Sequence, residues 1–130
     1  MAKYLILKKR KNFLKAAKDV TFVLSNIIVQ AAFCDEIKKN NLPRIGFTAT
    51  KRLGKAYYRN LTKRRMRAIC HEIGEESFLQ NIDYVLVGRR DTAICEYEKL
   101  KTEVKEALRR VNKIFKKRQK DDEKTPDSAN

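Results

Sequence analysis

Nine lysines and arginines fall between Arg44 and Arg67, and no aspartate or glutamate separates them. The dense end of that run, Lys51 to Arg67, reads as a loop entering a helix. Coulomb repulsion among so many cations opposes folding unless something negative arrives. A polyphosphate chain supplies evenly spaced anions and releases its counterions on binding. On a helix Arg59, Lys63 and Arg67 recur at i, i+4 and i+8 and form one line, with Asn60 and Arg64 on a second line beside it. Guanidinium forks suit bidentate phosphate contacts, and Asn60 adds a neutral donor and acceptor for a sugar or base edge. A solvated helix face is the ordinary reading of a charge run. This face has a single sign and lacks any acidic residue to pair with, which favours nucleic acid.

Other residues that could do chemistry are sparse. Cys34, Cys70 and Cys95 are widely spaced and form no C-x-x-C pair, so they read as reduced thiols acting as small hydrophobes. His71 follows Cys70 directly; neighbours on a helix point about 100° apart and chelate poorly, so no metal site is expected. The acidic residues sit mainly in the C-terminal part, without a carboxylate cluster or a histidine pair, and no catalytic side chain is assigned.

The bulk numbers fit that picture. A chain of 130 residues with 42% hydrophobic residues and a net charge of +15 is most simply one domain with a modest core and anionic partners. No run of 18 apolar residues exists; the most apolar stretch, Ile27 to Phe33, is short and contains Gln30. The N-terminus lacks an export signal, so the expectation is a cytoplasmic protein without a membrane role. Without helix-turn-helix, zinc-finger or heptad spacing, DNA is not an expected partner. Phe13, Phe22, Phe33, Phe47, Tyr57 and Tyr58 lie near the cations and could stack on unpaired bases. Phe33 and Phe47 read as core, and Phe13 stays open.

The elements that must position these residues follow from periodicity. A short helix is expected over Asn12–Lys18, with strands over Thr21–Leu24 and Ile27–Phe33, and a hairpin loop over Asp35–Pro43. Arg44 to Thr50 alternates, with Ile45, Phe47 and Ala49 facing one way and Arg44, Gly46, Thr48 and Thr50 the other. After Gly54 a helix runs from Ala56 to Ile73. Its apolar sector holds Tyr58, Thr62, Met66, Ile69 and Ile73, flanked by Leu61. Arg65 lands at the edge of that sector and snorkels along its own stem. Asp83 to Arg89 is nearly continuously apolar, as a central strand is, and the order strand–helix–strand predicts that it lies parallel to Arg44–Thr50. A long helix begins at Glu96, and the domain closes at Lys116. Residues 117–130 read as a disordered charged tail.

The block Lys51 to Arg67 resembles the signature of the bacterial ribonuclease P protein component. Lys51, Arg52, Gly54, Ala56, Arg59, Asn60, Lys63, Arg64 and Arg67 match that family's motif at its spacing. The strand before it, the segment Leu7–Leu14 and the strand Asp83–Arg89 also look like the family's, so the likeness spans roughly Leu7 to Val111. Lys55 stands where the family usually has Asn, which preserves cationic character. Leu61 replaces an Arg, so no role passes to it, and the family's second aromatic on the first helix falls near Ala17.

The resemblance implies an α/β sandwich: a mixed four-stranded sheet with flanking helices and a left-handed βαβ crossover, as in the second domain of ribosomal protein S5. It implies a subunit of the ribonuclease P endoribonuclease, which removes the 5′ leader of precursor tRNA while the RNA does the catalysis. By similarity Lys51, Arg52, Lys55, Arg59, Asn60, Lys63, Arg64 and Arg67 would hold the catalytic RNA. Phe13, with Val29 and Ala31, would hold the leader in a cleft between the first helix and the sheet. The protein itself would bind no cofactor; Mg²⁺ would act at the interface of RNA and substrate. The rival is a structural RNA-binding protein such as a ribosomal component, which shares the charge but not the spaced motif.

Overall fold

The computed structural model describes residues 4–36 and 41–128, with side chains through Asp121. Five strands form one mixed sheet: β1 (Leu5–Ile6), β2 (Val20–Val23), β3 (Ile27–Phe33), β4 (Arg44–Thr48) and β5 (Ile82–Gly88). Three helices flank it: α1 (Arg10–Lys18), α2 (Ala56–Glu72) and α3 (Tyr97–Ser128). The strand order is β1-β4-β5-β3-β2. β4 and β5 run parallel and are joined through α2, as the strand–helix–strand order predicts. β3 lies antiparallel to β5, and β2 antiparallel to β3. Burial of Ile82 through Leu86 agrees with the central place of β5.

Two expectations change here. The sheet has five strands rather than four, because Leu5–Ile6 pairs parallel with β4, its ends fixed where the Leu5 N–H meets the Pro43 carbonyl (2.9 Å) and the Leu7 N–H the Ile45 carbonyl (3.0 Å). Two residues are too few to show alternation. The segment Asp35–Pro43 is not a hairpin loop, since β5 lies between β3 and β4; residues 37–40 of that segment fall outside the described residues.

The two faces of the sheet are covered unequally. Val29 and Ala31 of β3, Ile45 of β4 and Tyr84 and Leu86 of β5 point toward α2 and α3, where they meet Met66, Ile69, Leu100, Val104 and Leu108. This is the main core, and each such side chain stabilises the fold by about 1.5–3 kcal/mol. On the other face, among the described residues, α1 is the helix that packs, its Ala16 against Leu7, Ala32 and Val85. Inside the main core the Tyr84 hydroxyl donates to Asn112 Oδ1 (2.6 Å) and accepts from the Leu79 N–H (2.7 Å). Asn112 Nδ2 in turn donates to the Ser77 carbonyl (2.8 Å), so the polar groups at this end of β5 are satisfied.

Helix α3 does not stop at Lys116, where the charge pattern predicts a disordered tail, but continues to Ser128. Lys117, Arg118, Gln119 and Lys120 are good helix formers and carry on a helix already nucleated by packing. Along α3 Phe115 is buried, whereas residues 116–121 are exposed.

Candidate nucleic-acid interface

The basic helix is set by close contact with the sheet. A Cβ on Gly88 would come within 2.3 Å of Thr62 Cγ2, so the missing side chain lets α2 lie directly on β5. Thr62, Met66, Ile69, Cys70 and Ile73 are buried beneath the helix. Burial pushes the Cys70 thiol up to about 12, so it stays protonated, a small hydrophobe as its spacing suggests. Tyr58, expected in the apolar sector, is instead 44% exposed and meets the ring of Tyr57 edge-to-face at 5.3 Å between centroids. The reason is position: it lies in the first turn of α2, before the helix reaches the sheet at Thr62.

On the outward side Arg59 and Lys63 are half-buried, while Asn60, Arg64 and Arg67 are exposed. Lys51 and Arg52 project from a 3-10 turn, Lys51–Leu53, and Lys55 precedes the first helical residue. Gly54 joins the two at φ 100°, a left-handed geometry that glycine adopts without strain. The expected RNA-facing residues Lys51, Arg52, Lys55, Arg59, Asn60, Lys63, Arg64 and Arg67 are thus all carried by one turn and one helix. Among the described residues none of their cations has a carboxylate within 4.0 Å. Arg59 Nε is buried without a hydrogen-bond partner there. A desolvated guanidinium donor of this kind gains most from an anionic acceptor. The helix also starts with no side-chain cap and no acidic residue in its first turn, so its N–H groups add positive potential at the same end.

The other two arginines of the run are occupied. Arg65 donates from Nη1 to the Thr92 carbonyl (2.7 Å) and lies 5.7 Å from the centre of the Tyr97 ring. It ties α2 to the turn before α3, away from the cationic side, and so departs from that side as expected. Arg44 forks onto Asp83 (2.7 and 2.6 Å) and also reaches Glu36 (2.6 Å). Arg67 stands over Phe47 at 5.7 Å, so this half-buried ring both joins the core and orients a cation.

The expected leader cleft is not built from the residues assigned to it. Val29 and Ala31 have no exposed surface and belong to the face under α3. Phe13 lies on the opposite face, where a Cβ on Gly46 would meet its ring at 2.5 Å. The register shows what accompanies Phe13 instead. Gly46, Val85, Gln30 and Thr21 form one row across the strands, and Thr48, Val87, Ile28 and Val23 the next. Thr48, Val87, Ile28 and Gln30 are half-buried and Val23 is 62% exposed, so this floor is accessible beside α1. One sequence signal points to it: Gln30 is the single polar residue in β3, and alternation puts Ile28 on its side and Val29 on the other.

Phe33, expected in the core, is 54% exposed. His71 is exposed, and among the described residues no three His, Cys, Asp or Glu gather in a way that could hold a metal ion. No described helix is long and apolar enough to cross a membrane.

Comparison with known proteins adds the following. The family model described as Ribonuclease P matches residues 1–112. The ribonuclease P protein component of Ruegeria pomeroyi is 35% identical over 108 residues, covering 82% of this chain and 86% of that one. Its counterpart from Gluconacetobacter diazotrophicus is 37% identical over 106 residues, covering 81% and 89%. Among solved structures, the RNase P protein of Staphylococcus aureus aligns with a TM-score of 0.66 over 84% of this chain and 96% of its own, at 21% identity. The RNase P protein from Thermotoga maritima aligns with a TM-score of 0.65 over 80% and 94%, at 20% identity. At that identity the structural likeness speaks for the fold.

Proposed function

The chain belongs to the ribonuclease P protein family and is a subunit of that endoribonuclease, and from this premise we propose how its surfaces divide the work. The cationic side of α2, with the turn before it, holds the catalytic RNA. The groove beside α1, floored by Ile28, Gln30, Val87 and Val23 and walled by Phe13, holds the single-stranded 5′ leader of precursor tRNA in the cytoplasm. One observation carries the first assignment: a line of cations without a carboxylate partner, among them a buried guanidinium nitrogen that lacks an acceptor. The second rests on chemistry. The floor mixes apolar surface with one amide, which suits unpaired bases that stack and need few specific hydrogen bonds.

Bond-breaking is assigned to the RNA. In this reading Mg²⁺ would sit on RNA and substrate phosphates, where it would activate water and neutralise developing charge. The protein's part is to lower phosphate repulsion and fix positions. Binding to ribonuclease P RNA measured across a salt series tests this. The R59A/K63A variant is expected to bind more weakly, with the slope of log K against log salt reduced by about 0.7–0.9 for each phosphate it no longer neutralises. R65A is expected to leave the slope close to the parent's, because its guanidinium is held by Thr92 and Tyr97. A larger slope change in R65A than in R59A/K63A overturns the assignment of helix sides.

A further inference from the structure

A second cationic line runs along α3. Lys105, Arg109, Lys113 and Lys117 recur every four residues, as Arg59, Lys63 and Arg67 do on α2, and Lys116 and Lys120 lie beside them. They border an open groove of about 930 Å³ between α3 and the 3-10 turn Glu75–Ser77, with Leu108, Glu76 and Glu106 also in its wall. Arg109 is bound to Glu106 (2.5 Å). Among the described residues the five lysines of this group make no ion pair. Packing does not explain residues 116–120, since all are exposed and Phe115 ends the buried stripe.

Next to this ridge lies a notch of different chemistry. Phe33, 54% exposed at the end of β3, opens into a hollow of about 560 Å³ bounded by Phe115, Arg118, Gln119, Gln80 and Asn81. Arg118 lies 5.1 Å from the centre of the Phe115 ring and is paired with Asp19 (3.0 Å). An accessible ring beside amide side chains suits a single unpaired base: the ring stacks, the amides donate and accept, and the lysines of the ridge meet the adjoining phosphates.

We propose that residues 105–120 of α3 and the Phe33 notch form a second RNA-binding surface, the ridge taking phosphates and the notch one unstacked base. Charge complementarity selects the occupant, because five lysines without an ion pair among the described residues, beside an aromatic notch, match a polyanion with exposed bases. The surface lies at the far end of the sheet from the start of α2. Gly88, beside α2, and Ile82, beside the notch, are the two ends of β5, about 20 Å apart at the rise of a strand. The two surfaces therefore engage separate RNA segments. This inference rests on the reading that RNA is the partner.

The test uses full-length K113Q/K116Q/K117Q, F33A and F33L with transcribed ribonuclease P RNA, together with R59A/K63A. The side chains altered at positions 33, 113, 116 and 117 are exposed, so these variants keep the fold. The lysine triple is expected to lower the salt slope by about 2, the sum over three phosphates. F33A and F33L are both expected to bind roughly tenfold more weakly, since leucine restores apolar surface but not stacking. Photocrosslinkers at positions 33 and 59 should mark different RNA segments. If R59A/K63A weakens binding while the triple and both Phe33 variants match the parent, the second surface is refuted and the α2 assignment stands. If F33L binds like the parent while F33A does not, the base-stacking notch is refuted. If no variant changes binding, the RNA reading itself fails.

Discussion

At the scale of single residues, the sign of each charge matters less than whether it already has a partner. Arg44 opens the cationic run in sequence, yet it is spent on Asp83 and Glu36 and fixes β4 to β5 beside α1. Lys11 joins the same cluster at 3.4 Å from Glu36. The Arg44 guanidinium holds the Glu36 carboxyl down to about 2 from its usual 4.5. A group depressed in the folded state contributes stability above its unfolded value and loses it as the pH falls toward the folded value. Urea unfolding from about pH 5 to about pH 2.5 should therefore show a falling midpoint in the parent and a flatter trend in E36Q. Equal trends in the two proteins would remove Glu36 from the account. Arg59 is the opposite case, a cation whose Nε is buried without an acceptor, and its value is realised only when an anion docks.

At the scale of elements, α2 is a cationic ridge because a glycine lets it sit close. Replacing Gly88 with Ala forces a Cβ to 2.3 Å from Thr62 Cγ2, and a stiff β-branched side chain cannot yield. G88A is expected to cost about 1–3 kcal/mol in chemical denaturation. Adding T62S, which removes the methyl and keeps the hydroxyl bond to the Tyr58 carbonyl (2.8 Å), should restore most of it. A G88A/T62S protein no more stable than G88A would show that the contact is not what sets the helix. The same element shows what the chain discloses unaided. The helix sides, the parallel β4–β5 pair and the misfit of Arg65 are legible because 3.6-residue and two-residue periods are local. Sequence alone groups Phe13 with Val29 and Ala31, which lie on the other face of the sheet, because choosing between Val29 and Ile28 needs the face of the sheet that α3 takes, a contact 70 or more residues away in sequence. Phe33 misleads for a related reason: its place at the end of β3 exposes it, and strand ends are set by tertiary pairing. β1 is invisible in the sequence because it exists only through its hydrogen bonds to a distant strand.

At the scale of the whole molecule, a charge of +15 on 130 residues makes the protein a fitting counter-ion for folded RNA. The two faces of the sheet differ: one carries the thin cover of α1 beside the partly exposed row Thr48, Val87, Ile28 and Val23, and the other the core that supports α2 and α3. Concentrated cations at an RNA surface substitute for part of the divalent ions that would otherwise screen phosphate repulsion. The direct test is precursor-tRNA cleavage followed against Mg²⁺ concentration, with ribonuclease P RNA alone, with RNA plus this protein, and with the protein alone. The account predicts that adding the protein lowers the Mg²⁺ needed for half-maximal cleavage, that R59A/K63A loses most of that effect, and that the protein alone cuts nothing. An Mg²⁺ requirement unchanged by the protein, or cleavage by the protein without RNA, would contradict it.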